Sequence, residues 1–113
     1  MAATNFDAYI RVMVEESPHA VVLDWHRRLE LAIQAYLNGR DINRARGRRA
    51  ESIIGRDALL GTDVAAKLAQ LRKLRNSVAH TGDLVSSETA IGFARECFSL
   101  IGVLGKAQDA HAA

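Results

Sequence analysis

Apolar residues return along this chain at intervals of three and four, the period of an amphipathic helix. The clearest run is Val22, Trp25, Leu29, Ala32, Ile33 and Tyr36, which line one face of a helix predicted over Pro18 to Asn38. Ser17 is its N-cap, Pro18 stands at the first helical position where a missing N–H costs nothing, and Gly39 follows as a stop. Upstream, Phe6, Tyr9, Ile10, Met13 and Val14 recur at helical spacing and predict a short helix over Asn5 to Glu15, with Thr4 as its cap, packed as an arm over residues 1–16.

Downstream of Asp41 the pattern weakens. Ala50 to Ile54 reads as a helical turn or two before Gly55, Asp57 to Leu60 as another short turn, and the arginine-rich stretch before them as a mobile loop. Periodicity returns with Val64, Leu68, Leu71, Leu74 and Val78, on a helix that opens at Thr62 or Asp63 with an acid near its positive end. Thr81-Gly82-Asp83 is a break. A last helix begins after Ser86 or Ser87 and runs to about Lys106 through Ala90, Ile91, Ala94, Cys97, Phe98, Ile101 and Leu104. Gly92, Ser99, Gly102 and Gly105 on it point to a close helix approach, because each interior glycine costs roughly 1 kcal/mol against alanine. Gln108 to Ala113 reads as a frayed tail. The sum is an all-α fold, an antiparallel helical bundle forming a single domain over 1–113.

Composition changes this picture little. Half the residues are apolar and a quarter charged, which excludes a disordered chain. Cys97 is the only cysteine, so no disulfide forms within the chain; its apolar stripe makes it a core thiol rather than a nucleophile, and a lone buried thiol fits a reducing, cytoplasmic setting. No secretory leader or membrane-length apolar run is visible, and the scattered histidines, including His19 and His26 near Asp24, match no metal-ligand spacing. Trp25 and Tyr36 read as core. The net charge is only +2, but Arg40, Arg44, Arg46, Arg48 and Arg49 crowd into ten residues. That run is either a solvated loop or a patch whose planar guanidinium forks contact phosphate.

One residue breaks the helical pattern. Positions 64, 68, 71, 75 and 78 form a stripe at spacings of four, three, four and three; four are Val or Leu, and the fifth is Arg75. A guanidinium cannot shed its charge, and burying it unpaired costs several kcal/mol. Arg75 therefore meets a carboxylate, for which Glu30 is the best placed, or points into a cleft or a subunit interface. A structural ion pair fixing helix register is as reasonable here as a functional site. His80 lies five residues on, about 140° away around an ideal helix, so the two share a face only if the helix distorts, the long arginine bridges the gap, or two copies combine. Asn76 and His80, four apart, do share one.

The stretch Leu71-Arg72-Lys73-Leu74-Arg75-Asn76-Ser77-Val78-Ala79-His80 resembles the motif of the HEPN superfamily: an arginine, a polar residue next to it, and a histidine after four to six intervening residues. Ser17-Pro18 followed by Trp25 and by Arg28-Leu29-Glu30 is similar to the opening helix of one HEPN subgroup. The resemblance spans roughly Ser17 to Leu104. It implies a helical bundle that forms a homodimer and, in active members, a metal-independent endoribonuclease needing no cofactor, whose site is built from the motifs of both subunits. Arg75 and His80 would then be the catalytic pair, Asn76 a supporting polar group, and a toxin or defence role with a protein inhibitor or antitoxin would be in keeping. The superfamily also holds binding modules without cleavage activity.

RNA supplies its own nucleophile, the 2′-hydroxyl. An imidazole near its ordinary pKa suits the proton transfers, and a fixed guanidinium suits the phosphorane charge. The expected products are a 2′,3′-cyclic phosphate and a 5′-hydroxyl, with DNA inert. Arg40, Arg44, Arg46, Arg48, Arg49, Arg72 and Lys73 are the candidates for flanking RNA phosphates, in which case binding weakens with salt. Against this stand a non-catalytic helical module that binds a protein partner or RNA, and a plain structural bundle. The absence of aromatic residues from the basic stretch counts against recognition of single strands by stacking.

Overall fold

The computed structural model describes residues 2–81 and 84–112, with side chains described for 5–80 and 84–112. They form five helices, α1 Ala2–Glu16, α2 Pro18–Gly39, α3 Gly47–Gly55, α4 Gly61–Thr81 and α5 Ser87–Ala112, and no strand. The helices make an all-α bundle around one apolar cluster to which every helix contributes. The most extensive contact is between α2 and α5; α1 lies against both, and α3 and α4 pack as a second pair joined to the bundle mainly through α2.

Local chemistry accounts for the ends of α2. Ser17 is extended, its Oγ accepts from the Ala20 amide at 3.1 Å, and Pro18 opens the first turn. Its buried face is Val21, Val22, Trp25, His26, Leu29, Tyr36 and Leu37. α1 begins earlier than its pattern indicates, at Ala2, which leaves Thr4 inside the helix rather than at its cap. Phe6, Ile10 and Val14 are buried, whereas Tyr9 and Met13, expected on the same face, are exposed. The Phe6 ring stacks on Phe98 at 4.3 Å and meets Trp25 edge-on at 5.1 Å, so the arm is seated by aromatic contact.

Three expectations are corrected. The arginine-rich stretch is a loop only in part: Arg40, Arg44 and Arg46 lie in the connection between α2 and α3, whereas Arg48 and Arg49 belong to α3, and the connection is pinned by a fully buried Ala45 whose carbonyl accepts from Gln34 Nε2 at 2.8 Å. Asp41 and Arg44 turn the chain there in the left-handed region, at φ 60° and 65°. The glycines of α5 do not mark a close helix approach, since a Cβ built at Gly92, Gly102 or Gly105 would meet nothing within 4 Å. At Gly55 a Cβ would meet that of Ala65 on α4 at 3.4 Å, an ordinary van der Waals contact between α3 and α4. Finally, α5 does not stop near Lys106 but continues to Ala112. The expected break at Thr81-Gly82-Asp83 lies outside the described residues apart from Thr81, which closes α4.

The end of α5 is held by a polar cluster. The Tyr36 hydroxyl donates to Asp57 Oδ2 and lies 3.0 Å from His111 Nε2, and Arg40 Nη1 donates to Asp57 at 3.0 Å. Burial raises the Tyr36 pKa, and the bond to the Asp57 carboxylate raises it further. Burial alone would raise Asp57 as well, but the Tyr36 hydroxyl, the Leu59 and Leu60 amides and Arg40 hold it below its usual value. Tyr36→Phe removes a donor from a carboxylate that is only 8 % exposed. It is expected to cost about 1.5–3 kcal/mol, read from the shift of the urea unfolding midpoint at constant slope.

Candidate functional site

Helices α2, α3 and α4 enclose an open cleft of about 180 Å³. Its floor is apolar, from Leu29, Ile33, Ala50 and Leu68. Its walls carry His26 and Glu30 from α2, Arg46 at the N-cap of α3, Glu51 within α3, and Arg72, Arg75 and Asn76 from α4. Three arginines face two glutamates there, so with neutral imidazole the rim carries a net positive charge.

α4 positions the motif. It is unbroken through His80, so Arg75 and His80 project about 140° apart around one axis. The helix distortion that would have brought them onto one face is absent. Arg75 is half-buried and lines the cleft, while His80 is exposed and does not. The expected pairing of Arg75 with Glu30 is not formed, although both line the cleft. Arg75 Nη1 donates to Asn76 Oδ1 at 3.3 Å, and among the described residues no carboxylate pairs with it. Glu30 turns instead to its own helix, where Oε1 stands 3.0 Å from His26 Nδ1. The reason is geometric: residues 26 and 30 are neighbours at i and i+4, whereas Glu30 would have to cross the cleft to reach α4.

The basic residues separate into groups. Arg46 lines the cleft, and Arg44, Arg48, Arg49 and Lys73 are exposed. Arg40 lies outside the cleft, bound to Asp57. Arg72 is clamped by Glu51, with Nε–Oε2 2.6 Å and Nη2–Oε1 3.1 Å, a two-pronged bond between side chains under one-fifth exposed that ties α3 to α4 along the cleft wall. Its charge is largely answered within the fold.

His26 went unrecognised as a site residue on sequence grounds. It is 7 % exposed, the only buried residue with an ionisable side chain besides Cys97 and Tyr36 among those described. Burial lowers its pKa below the ordinary 6.5, Glu30 opposes that, and Arg75 across the cleft lowers it again. The ring is therefore neutral at pH 7. Unfolding releases a histidine that protonates more readily, so folding stability is lost as pH falls from 6.5 through the lowered folded value. In His26→Gln this part of the acid sensitivity should vanish, which urea titrations between pH 7 and pH 5 would reveal. Cys97 is fully buried, and burial pushes its thiol up to about 12, so it carries no nucleophilic role.

Among the described residues there is no group of three His, Cys, Asp or Glu side chains that could hold a metal, and no helix long and apolar enough to cross a membrane. No protein-family model matches the chain, and comparisons with curated proteins and with solved structures gave no significant match.

Proposed function

We propose that the protein is a metal-independent endoribonuclease of HEPN type that cleaves RNA by attack of the 2′-hydroxyl on the adjacent phosphodiester, as a homodimer. The observation that carries this reading is Arg75. An always-charged side chain stands on the apolar stripe of α4, lacks a carboxylate partner among the described residues, and opens onto a positively rimmed cleft. A purely structural arginine in that position would be paired, because an unanswered half-buried charge destabilises the fold. The motif Arg75-Asn76-Ser77-Val78-Ala79-His80, with its resemblance to the HEPN pattern, supplies the reaction class.

In this mechanism Arg75 stabilises the phosphorane oxygens, and Asn76, whose Oδ1 is engaged by the guanidinium, offers its amide hydrogens to substrate. His80 transfers protons. Since Arg75 and His80 diverge around α4, the histidine that serves a given Arg75 comes most directly from a second copy, which is the reason for the dimer. Arg46, Arg48 and Arg49 hold flanking phosphates. A toxin or defence role, restrained by a protein inhibitor, would suit such an activity. The second reading is a non-catalytic helical module that binds a protein partner or RNA, and it is favoured by the exposure of His80 away from the cleft.

The two are separated by incubating the protein with long unstructured RNA in EDTA, beside Arg75→Ala and His80→Ala. Cleavage by the wild type and its loss by about 10²-fold or more in both variants is the expected result. Absence of cleavage by the wild type, or equal cleavage by all three, removes the enzyme in favour of the binding module.

A further inference from the structure

The His26–Glu30 pair has the form of a proton acceptor rather than a core contact. The His26 side chain is 9 % exposed, held at the cleft wall with Phe93 of α5 at 6.2 Å between ring centres. A carboxylate only accepts hydrogen bonds, so the bond to Glu30 Oε1 places the ring proton on Nδ1 and leaves the Nε2 lone pair available. Nε2 makes no hydrogen bond to any described residue, yet no fully buried side-chain nitrogen or oxygen lacks a partner. Nε2 therefore reaches solvent, and the space that His26 lines is the cleft it shares with Arg75 and Asn76. The charged groups facing the ring are Glu30 on its own helix, Glu51 from α3 and Arg75 from α4; α5 presents only the uncharged Phe93.

A ligand suited to this arrangement carries a hydroxyl able to donate to Nε2 and, beside it, an anion for the Arg75 guanidinium. A ribose 2′-hydroxyl next to its own 3′-phosphate has both in one unit. Resting on the ribonuclease reading above, we propose that His26, oriented by Glu30, is the general base of the reaction. The oxygen of the 2′-hydroxyl forms a bond to phosphorus as its proton passes to His26 Nε2. The bond from phosphorus to the 5′-oxygen breaks, and that oxygen takes a proton from an imidazolium at His80. Solvent then restores both rings. His80 is left with the acid role alone, and each cleft contains its own base.

The test is single-turnover cleavage of a short RNA between pH 4.5 and pH 8 by wild type, His26→Gln, Glu30→Gln and His80→Ala, with circular dichroism of each. A base must be unprotonated, so the wild-type rate should rise with pH along an acid limb below 6.5. His26→Gln should lose about 10²- to 10⁴-fold and flatten that limb. Glu30→Gln, a near-isosteric change at a half-exposed position, removes a charge that raises the ring's proton affinity, so its limb should move to lower pH. If the wild type cleaves and His80→Ala does not, while His26→Gln and Glu30→Gln keep the wild-type rate and limb, His26 is not the base and the ribonuclease reading stands without it. If His26→Gln fails to fold, an unmoved limb in Glu30→Gln overturns the proposal. No cleavage by the wild type removes the ribonuclease and the base together.

Discussion

Arg75→Leu is expected to abolish RNA cleavage, by about 10³-fold or more, while leaving the protein as stable as the wild type or up to about 1 kcal/mol more so. The two halves of that expectation come from one fact. Position 75 continues the stripe of Leu68, Leu71 and Val78, so leucine satisfies the packing of α4. The guanidinium it replaces is half-buried and, among the described residues, bonded to the Asn76 amide and to no carboxylate, so its removal strands none of them. A residue that costs stability where an apolar one would serve is characteristic of a site kept for function. Parallel urea unfolding and cleavage assays check both halves. A marked loss of stability in Arg75→Leu would mean that the arginine holds the bundle together and that the cleft is incidental.

The largest structural effect is expected at Leu104→Ala. Leu104 is 1 % exposed on α5, in the cluster that joins this helix to α2. Truncation removes its transfer free energy and leaves a void that rigid helices only partly close, a loss of about 2–5 kcal/mol. Domains of this size are stable by roughly 5–15 kcal/mol, so the variant loses a large share of its stability and its thermal midpoint falls by many degrees. Calorimetry or urea unfolding measures it, and a loss below about 1 kcal/mol would show that α5 is not packed as described.

The helical fold was legible because its signals are local. Ser17 and Pro18 start α2 by chemistry confined to one turn, and the Val22 to Tyr36 stripe is long enough to establish its period. What escaped the sequence depends on contacts between distant residues. Of α3 only the turn from Ala50 to Ile54 was legible; its first turn carries two exposed arginines, and the helix is held by the burial of Ala50 and Ile54 and by the Glu51–Arg72 clamp across 21 positions. The last turns of α5 are polar and would fray alone, but Tyr36 and Arg40 capture His111. The α5 glycines misled because a small residue permits a close neighbour without requiring one.

The site was half legible for the same reason. Arg75 stood out because it interrupts an apolar stripe, and the structure sets it in a cleft. His26 interrupts a stripe in the same way: positions 22, 26, 29, 33 and 36 are spaced four, three, four and three, with a glutamate four residues after the histidine. The signal was present, but histidine is tolerated on apolar faces far more readily than arginine, so its presence there is weaker evidence. The choice of partner for Glu30 could not be read in advance, since His26 lies one turn away on the same helix and Arg75 lies across a gap that only the packing of α2 on α4 determines.

The most direct measurement uses a DNA oligonucleotide carrying one internal ribonucleotide, incubated with the protein in EDTA and resolved by mass spectrometry. The account predicts a single cut, on the 3′ side of the ribose, leaving a 2′,3′-cyclic phosphate and a 5′-hydroxyl, because only that sugar brings a nucleophile to the phosphate held by Arg75. Cuts at deoxyribose positions, products ending in a 5′-phosphate, or an intact strand alongside an equally intact all-RNA control would contradict it.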